Sequence, residues 1–318
     1  MASSLGIGVV AGLASALLIG VIVTATPLAL LLYLLAPVPI VIVALGWSHR
    51  TGLVAAATGT LALMLAASPL RGLAFLVSTA LPAWWLAYLA LLGRPAAGGQ
   101  PGALEWYPLG RLLAWTAVTA AVALILVVLL TSGDHAAYED RIRRIARAVM
   151  QIEMQSVQPG GALPEEDVVR VADRLARLAP AVMGVTFTLL LVFYLWAAAR
   201  IVHLSGRLPR PWPDLPATQM PRRLLWGLAG AVVLALAPGF PGTFGVGLVG
   251  ALCAAFALQG LAAIHDRSRG RPGRTPLLIG LYVLLLLTQG IALTALTLFG
   301  LADTLLGRRR APAEAPTA

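Results

Sequence analysis

Seven long stretches of this chain hold no Asp, Glu, Lys, Arg or His: residues 1–48, 51–70, 72–93, 112–133, 178–199, 224–264 and 275–302. A helix crosses the hydrocarbon of a bilayer with about 20 apolar residues. Five of the stretches suit one crossing each, and 1–48 and 224–264 are long enough for two. Nine segments are therefore expected, at 5–24, 27–47, 51–67, 70–92, 110–131, 180–202, 222–237, 243–264 and 275–301. No water is available in lipid to bond the backbone, so each segment must satisfy its own N–H and C=O groups as a helix. Composition agrees: 59% of the residues are hydrophobic and 11% charged, where a soluble domain carries about 25% charged residues. A soluble enzyme, a disordered chain and a secreted disulfide scaffold are excluded. The single cysteine, Cys253, allows neither an intramolecular disulfide nor a cysteine metal cluster.

Proline punctuates the segments. Pro27, Pro69, Pro108, Pro180, Pro221 and Pro276 each stand where a span should begin, a position that tolerates the missing N–H. The N-terminus has no basic region before its apolar run, so it reads as a retained first span. All 23 basic residues are arginine, and the net charge is +10. With the N-terminus inside, the short inner loops and span ends hold Arg50, Arg94, Arg111 and nine arginines between Arg200 and Arg274, while the short outer loops hold only Arg71. That asymmetry expresses membrane orientation and not nucleic-acid binding. One conflict remains: nine crossings put Arg308, Arg309 and Arg310 outside.

Residues 134–178 differ in kind, with seven Arg and eight acids. Ile142, Ile145, Val149 and Ile152 recur at helical spacing, as do Val168, Val171, Leu175 and Leu178. Each set marks an amphipathic helix with a narrow apolar stripe. Pro159-Gly160-Gly161 separates the two, and Pro164 with three following acids opens the second. The stripes either pack on each other or the membrane surface, or dock a partner protein.

Within the spans, few groups can carry chemistry. All four histidines lie at span edges or in loops, and the expected metal and cofactor sets are empty. Buried ionisable groups, the usual mark of proton relays and intramembrane catalysis, are absent from the span interiors, so no enzyme is expected. Gly8, Gly12, Ala16 and Gly20 form a small-residue stripe on the first segment, which lets two helices approach closely. Its partner is either another span of the chain or another membrane protein. Pro37-Val38-Pro39 breaks the second segment near the membrane midplane; such breaks occur where protein or a cavity receives the freed carbonyls. Tyr33 lies one turn earlier and offers a hydroxyl. Trp84 and Trp85, with Tyr88, suit an interfacial belt or a pocket wall. Gln259 and Gln289 are the two amides within spans, suited to interhelical bonding or to ligand contact.

Two further stretches carry a family resemblance. Leu258-Gln259-Gly260-Leu261-Ala262-Ala263-Ile264-His265 closes the eighth segment, and Gly300-Leu301-Ala302-Asp303 precedes Arg308-Arg309-Arg310. In order and placement they resemble the bacterial multi-pass membrane family called domain of unknown function 2232, or YybS-like, across roughly residues 5–310. That resemblance brings a further, distant one to the substrate-binding S subunits of energy-coupling-factor transporters, which dock a membrane partner through small residues on their first helix. It implies that Gly8, Gly12, Ala16 and Gly20 are a docking seam.

The expected fold is an all-α polytopic membrane protein of eight or nine transmembrane helices plus an amphipathic hairpin. Its expected parts are an N-terminal bundle (1–133), the hairpin (134–179), C-terminal helices (180–306) and a disordered tail (307–318). The expected setting is the bacterial inner membrane. The expected activity is binding or transport of a small solute or lipid near Tyr33, Pro37, Pro39, Trp84 and Trp85. A scaffold acting through the hairpin is the alternative.

Overall fold

Thr26, Ser48 and Ser68 each start a helix by accepting a hydrogen bond from the backbone N–H three residues on, and Pro27 and Pro69 occupy the first helical position behind two of them. The cap satisfies a donor that has no intrahelical partner, and proline has no N–H to leave unpaired. The computed structural model describes residues 2–96, 103–157, 165–288 and 290–307. Its helices in order are α1 (Ala2–Gly20), α2 (Pro27–Leu34), α3 (Val38–Gly46), α4 (His49–Ala66), α5 (Pro69–Phe75) and α6 (Leu81–Ala90). Next come α7 (Leu109–Thr131), α8 (His135–Val157), α9 (Glu165–Leu204), α10 (Leu224–Ala235), α11 (Gly239–Arg267), α12 (Arg274–Thr288) and α13 (Gly290–Leu306). A small antiparallel ribbon, β1 (Gly93–Pro95) with β2 (Leu104–Trp106), joins α6 to α7; nothing in the sequence reading anticipated it. Among the described residues, six stretches are long and apolar enough to cross a membrane: Ser4–Thr24, Pro27–Gly46, Pro69–Ala90, Leu109–Thr131, Glu166–Leu204 and Gly239–Arg267. The chain is an all-α integral membrane protein.

Glycine sets how closely these helices approach. A Cβ on Gly12 would overlap the Ala55 carbonyl of α4, and one on Gly8 would lie 2.8 Å from the Thr51 carbonyl. The contacts ascend together in number, so α1 and α4 run parallel. Close approach also joins α9 to α11, where Gly184 meets the Gly247 carbonyl and the Ala251 nitrogen and Gly250 meets Ala181. Helix α9 spans the whole assembly. Its Leu191, Tyr194, Ala198 and Val202 join the core formed with α1, α3, α4 and α6, while α11 centres a second core around Leu252, Ala255 and Phe256.

Three expectations need correction. The stretch 275–301 is two helices, not one. Thr297 of α13 bonds the Cys253 carbonyl, Gly300 abuts Phe256, and Asp303 meets Gln259. These pairs ascend together, so α13 is parallel to α11 and α12 must run back between them. Gly307 consequently stands against Arg222, at the end of the bundle that also holds Arg267. Pro180 does not begin a span but lies inside the 40-residue α9. Proline removes one intrahelical hydrogen bond there, and the helix continues through it with α8 packed on α9 and α11 against Ala181. The hairpin stripes are the third. The face of α8 packed on α9 is Tyr138, Ile142, Ala146 and Met150, opposite Ala172, shifted around the helix from the stripe read in the sequence. Ile145, Val149 and Ile152 stay exposed, as do Val171, Leu175 and Leu178. Residues 158–164, with the Pro159-Gly160-Gly161 and Pro164 signals, and the tail from 308 lie outside the described residues.

The proline break is internally satisfied. Pro37 and Pro39 cannot bond the carbonyls one turn earlier. The Tyr33 carbonyl instead accepts from the Ala36 N–H at 3.1 Å, and the Leu35 carbonyl from the Val38 N–H at 3.0 Å. The fully buried Ser15 hydroxyl of α1 donates to the Ala36 carbonyl at 2.5 Å. Protein, not solute, receives the freed groups.

Candidate functional site: an apolar cavity at the basic end

A cavity of about 450 Å³ opens where α7, α9 and α11 converge below the 205–223 loop. That size falls within the range of about 300–1,000 Å³ typical of ligand pockets. Its wall is apolar, from Leu112 and Leu113 of α7, Leu195 of α9, and Leu258 and Leu261 of α11. Five polar side chains face it: Thr116, Arg210, Thr218, His265 and Tyr282.

The loop that roofs the cavity is held at several points. Pro209, Pro211, Pro213, Pro216 and Pro221 fix its φ angles. Trp212 lies beside the His203 ring at 5.2 Å and under the Arg200 guanidinium at 5.3 Å. Arg269 of the α11–α12 turn grips Asp214 with a two-pronged ion pair. That contact holds the Asp214 carboxyl below the usual carboxylate range. The Met220 N–H donates to Gln259 Oε1 at 3.0 Å. Arg210 itself is half-buried. One of its N–H groups bonds the Ala90 carbonyl at 3.0 Å, and the other four have no hydrogen-bond partner among the described residues. Burial lowers its pKa, yet a guanidinium stays charged at neutral pH. A permanent cation thus stands at the rim of an apolar chamber.

One wall is loosely built. Helix α12 has no buried residue, and its Tyr282 reaches the cavity. There the Tyr282 hydroxyl lies 3.3 Å from His265 Nε2, while His265 Nδ1 lies 3.0 Å from the Leu261 carbonyl. The chamber is therefore bounded on one side by a helix that has no buried residue.

Behind the cavity, α11 and α13 are clasped by a polar cluster. Gln259 Nε2 donates to Asp303 Oδ2 at 3.1 Å and to Thr304 Oγ1 at 2.8 Å. Arg267 donates to Asp303 Oδ1 at 2.7 Å and lies over the Phe299 ring at 5.0 Å. Both short stretches noted in the sequence converge here: Gly260 and Gly300 touch, and Gln259 meets Asp303.

The residues nominated from sequence do not line the chamber. Tyr33 points outward, half-exposed, and Pro37 and Pro39 belong to the satisfied break. Trp84 donates from Nε1 to the His49 carbonyl at 3.0 Å and stacks on Tyr88 at 6.0 Å; Trp85 meets Trp115 edge-on at 5.9 Å. Those rings form an aromatic cluster at the basic end, outside the cavity. Gln259 serves the clasp, and Gln289 lies outside the described residues. On the small-residue seam, Gly8 and Gly12 receive this chain's own α4 and Ala16 is buried, while Gly20 meets nothing. The sequence reading missed Arg210, His265 and Tyr282. The signal that could have found them is the proline-dense 209–221 loop, a rigid strap too ordered for a simple connection.

No curated protein and no solved structure matches the chain. The model of the family described as "Predicted membrane protein (DUF2232)" matches residues 13–304, a span that includes the cavity walls, the strap and the clasp. The chain belongs to the DUF2232 family of membrane proteins.

Proposed function

We propose that this protein binds a lipid-like amphiphile in the cavity at its basic end, in the inner membrane of a bacterium. The observation that carries the reading is the pairing of an apolar chamber with the charged, half-buried Arg210 at its rim, beside the exposed helix α12. An amphiphile would place its apolar part among Leu112, Leu113, Leu195 and Leu258 and its acceptor-bearing end at Arg210, His265 and Tyr282. Access would be lateral, past α12. The chamber walls hold no carboxylate and no thiol, and the reading is of a binding protein, not an enzyme. Carriage of the amphiphile across the membrane, with or without a partner, would use the same chamber.

The orientation that suits this reading puts the basic end in the cytoplasm. Ten crossings then follow: α1, α2 with α3, α4, α5 with α6, α7, α9, α10, α11, α12 and α13. Helices α10, α12 and α13 span only about 18, 22 and 25 Å at 1.5 Å per residue, so all three would be short crossings in a locally thinned bilayer. The end of α13, at Leu306, would then stand at the inner face with the other basic span ends.

The test is mass spectrometry of lipids retained after purification in native nanodiscs. The wild type should hold one amphiphile enriched over the bulk membrane. Ala262→Trp, which fills the chamber, should lose it. Arg210→Ala should reduce an anionic one by about ten- to a hundredfold, the worth of one charge-assisted hydrogen bond of about 1.5–3 kcal/mol. A retained lipid profile identical to the bulk membrane for all three proteins refutes the proposal.

A further inference from the structure

The α8–α9 hairpin carries an apolar face that nothing among the described residues covers. Ile145, Val149 and Ile152 of α8 and Val171, Leu175 and Leu178 of α9 are each 40–68% exposed. Both sets lie on the same side of the hairpin. On each helix the exposed stripe precedes the packed face (Ile142 and Ala146, or Ala172) in rotation about the axis, and the helices are antiparallel, so the two stripes point the same way. The ion pair of Arg143 with Asp173, 3.4 Å, lies on the other flank and fixes the register.

The bilayer cannot cover this face. Helix α9 is unbroken from Glu165 to Leu204, about 60 Å at 1.5 Å per residue, roughly twice the hydrocarbon thickness. Residues 165–179 therefore continue the line of the span into water and do not lie along the surface. We propose that the face is covered by the same face of a second copy, so that two hairpins close into an extramembrane four-helix bundle.

Three observations favour a second copy over a different partner. The exposed positions repeat at four- and three-residue intervals on both helices, 145-149-152 and 171-175-178; this is the seam spacing of helices packing on helices. The stripes of the two helices face one way, and a face of this kind is self-complementary about a two-fold axis. The hairpin, with seven Arg and eight acids, is nearly neutral, so twin hairpins meet without net repulsion, whereas the rest of the chain is strongly basic. The six side chains expose on the order of 600 Å² per copy, close to the ~800 Å² per partner of a stable interface. Confinement to the bilayer plane adds to their effective concentration.

The full-length protein in lipid nanodiscs or native membranes tests this by single-molecule subunit counting. The wild type should be mainly dimeric. Val149→Arg with Leu175→Arg should weaken the dimer by roughly a hundredfold or more, because four unpaired guanidinium groups would meet at its centre. Both positions are exposed, so the double variant should keep the wild-type helicity and melting temperature; Arg144→Ala, off the seam, should leave the dimer intact. A monomeric wild type, a dimer that survives the double substitution, or a cross-link from Val149→Cys to a different protein each overturns the proposal.

Discussion

Replacing Gly300 by leucine is expected to remove the folded protein from the membrane. A Cβ there would overlap the Phe256 carbonyl and lie 3.0 Å from the Gly260 nitrogen, both backbone atoms of α11 that cannot rotate away. The helices would have to separate, undoing the Thr297 bond to the Cys253 carbonyl and the clasp of Gln259 on Asp303. Small residues are what let two helices in lipid approach to van der Waals contact, since no hydrophobic force drives them together there. The loss should exceed about 4 kcal/mol, the range of severe core changes. Fluorescence-detected gel filtration after mild detergent extraction reads it as the vanished monodisperse peak. Gly280→Leu is the control. Gly280 lies on the exposed α12 with nothing within 4 Å, and leucine is the better helix former, so that variant should elute as the wild type does.

Asp303→Ala is the second large effect. The Asp303 side chain is 2% exposed, and it receives hydrogen bonds from Arg267 and Gln259. Removing it leaves the Arg267 charge without its carboxylate and one Gln259 donor short of an acceptor. Breaking a buried ion pair from one side costs about 3–5 kcal/mol. Arg267 is 39% exposed and partly rehydrates, which argues for the lower end, about 3 kcal/mol. The converse substitution, Arg267→Ala, leaves a buried carboxylate without its cation and should cost more. Reversible unfolding in bicelles distinguishes the two. A loss below about 1 kcal/mol for Asp303→Ala, the scale of an exposed pair, would mean the clasp is wet and structurally idle.

Architecture was legible because it follows from gross physical costs. Tracts without charges became helices, and Pro27 and Pro69 stand at the first helical position as their place in the sequence suggests. Pairwise chemistry was not legible. Whether Gly12 faces α4 or a foreign helix depends on which helix arrives there, and nothing local to the first segment encodes that. The 275–301 stretch read as one span because apolarity does not register a reversal. The ascending pairs Thr297 with Cys253, Gly300 with Phe256 and Asp303 with Gln259 reveal that α13 returns parallel to α11. The site escaped for a related reason. Rings and prolines within spans drew the reading to Tyr33, Pro37 and Trp84, while the cavity is roofed by a loop whose arginines served orientation alone. Arg210 does both, since a cation at a span end also borders whatever chamber the helices leave. Gln259 and Asp303 were noticed as motif letters but not as partners, because 44 residues and a helix reversal separate them.

The central claim is that the cavity, the clasp and the end of α13 share one face of the membrane and the hairpin occupies the other. Single cysteines in a Cys253→Ser background, probed with a membrane-impermeant maleimide, test it in intact cells. Ala136→Cys, at the base of the hairpin, should label at once. Ser205→Cys, beneath the strap, and Leu306→Cys, at the end of α13, should label only after permeabilisation. Labelling of Ser205→Cys in intact cells would contradict the assigned sidedness. Labelling of Leu306→Cys together with Ala136→Cys would contradict the return of α12 and α13 to the basic end.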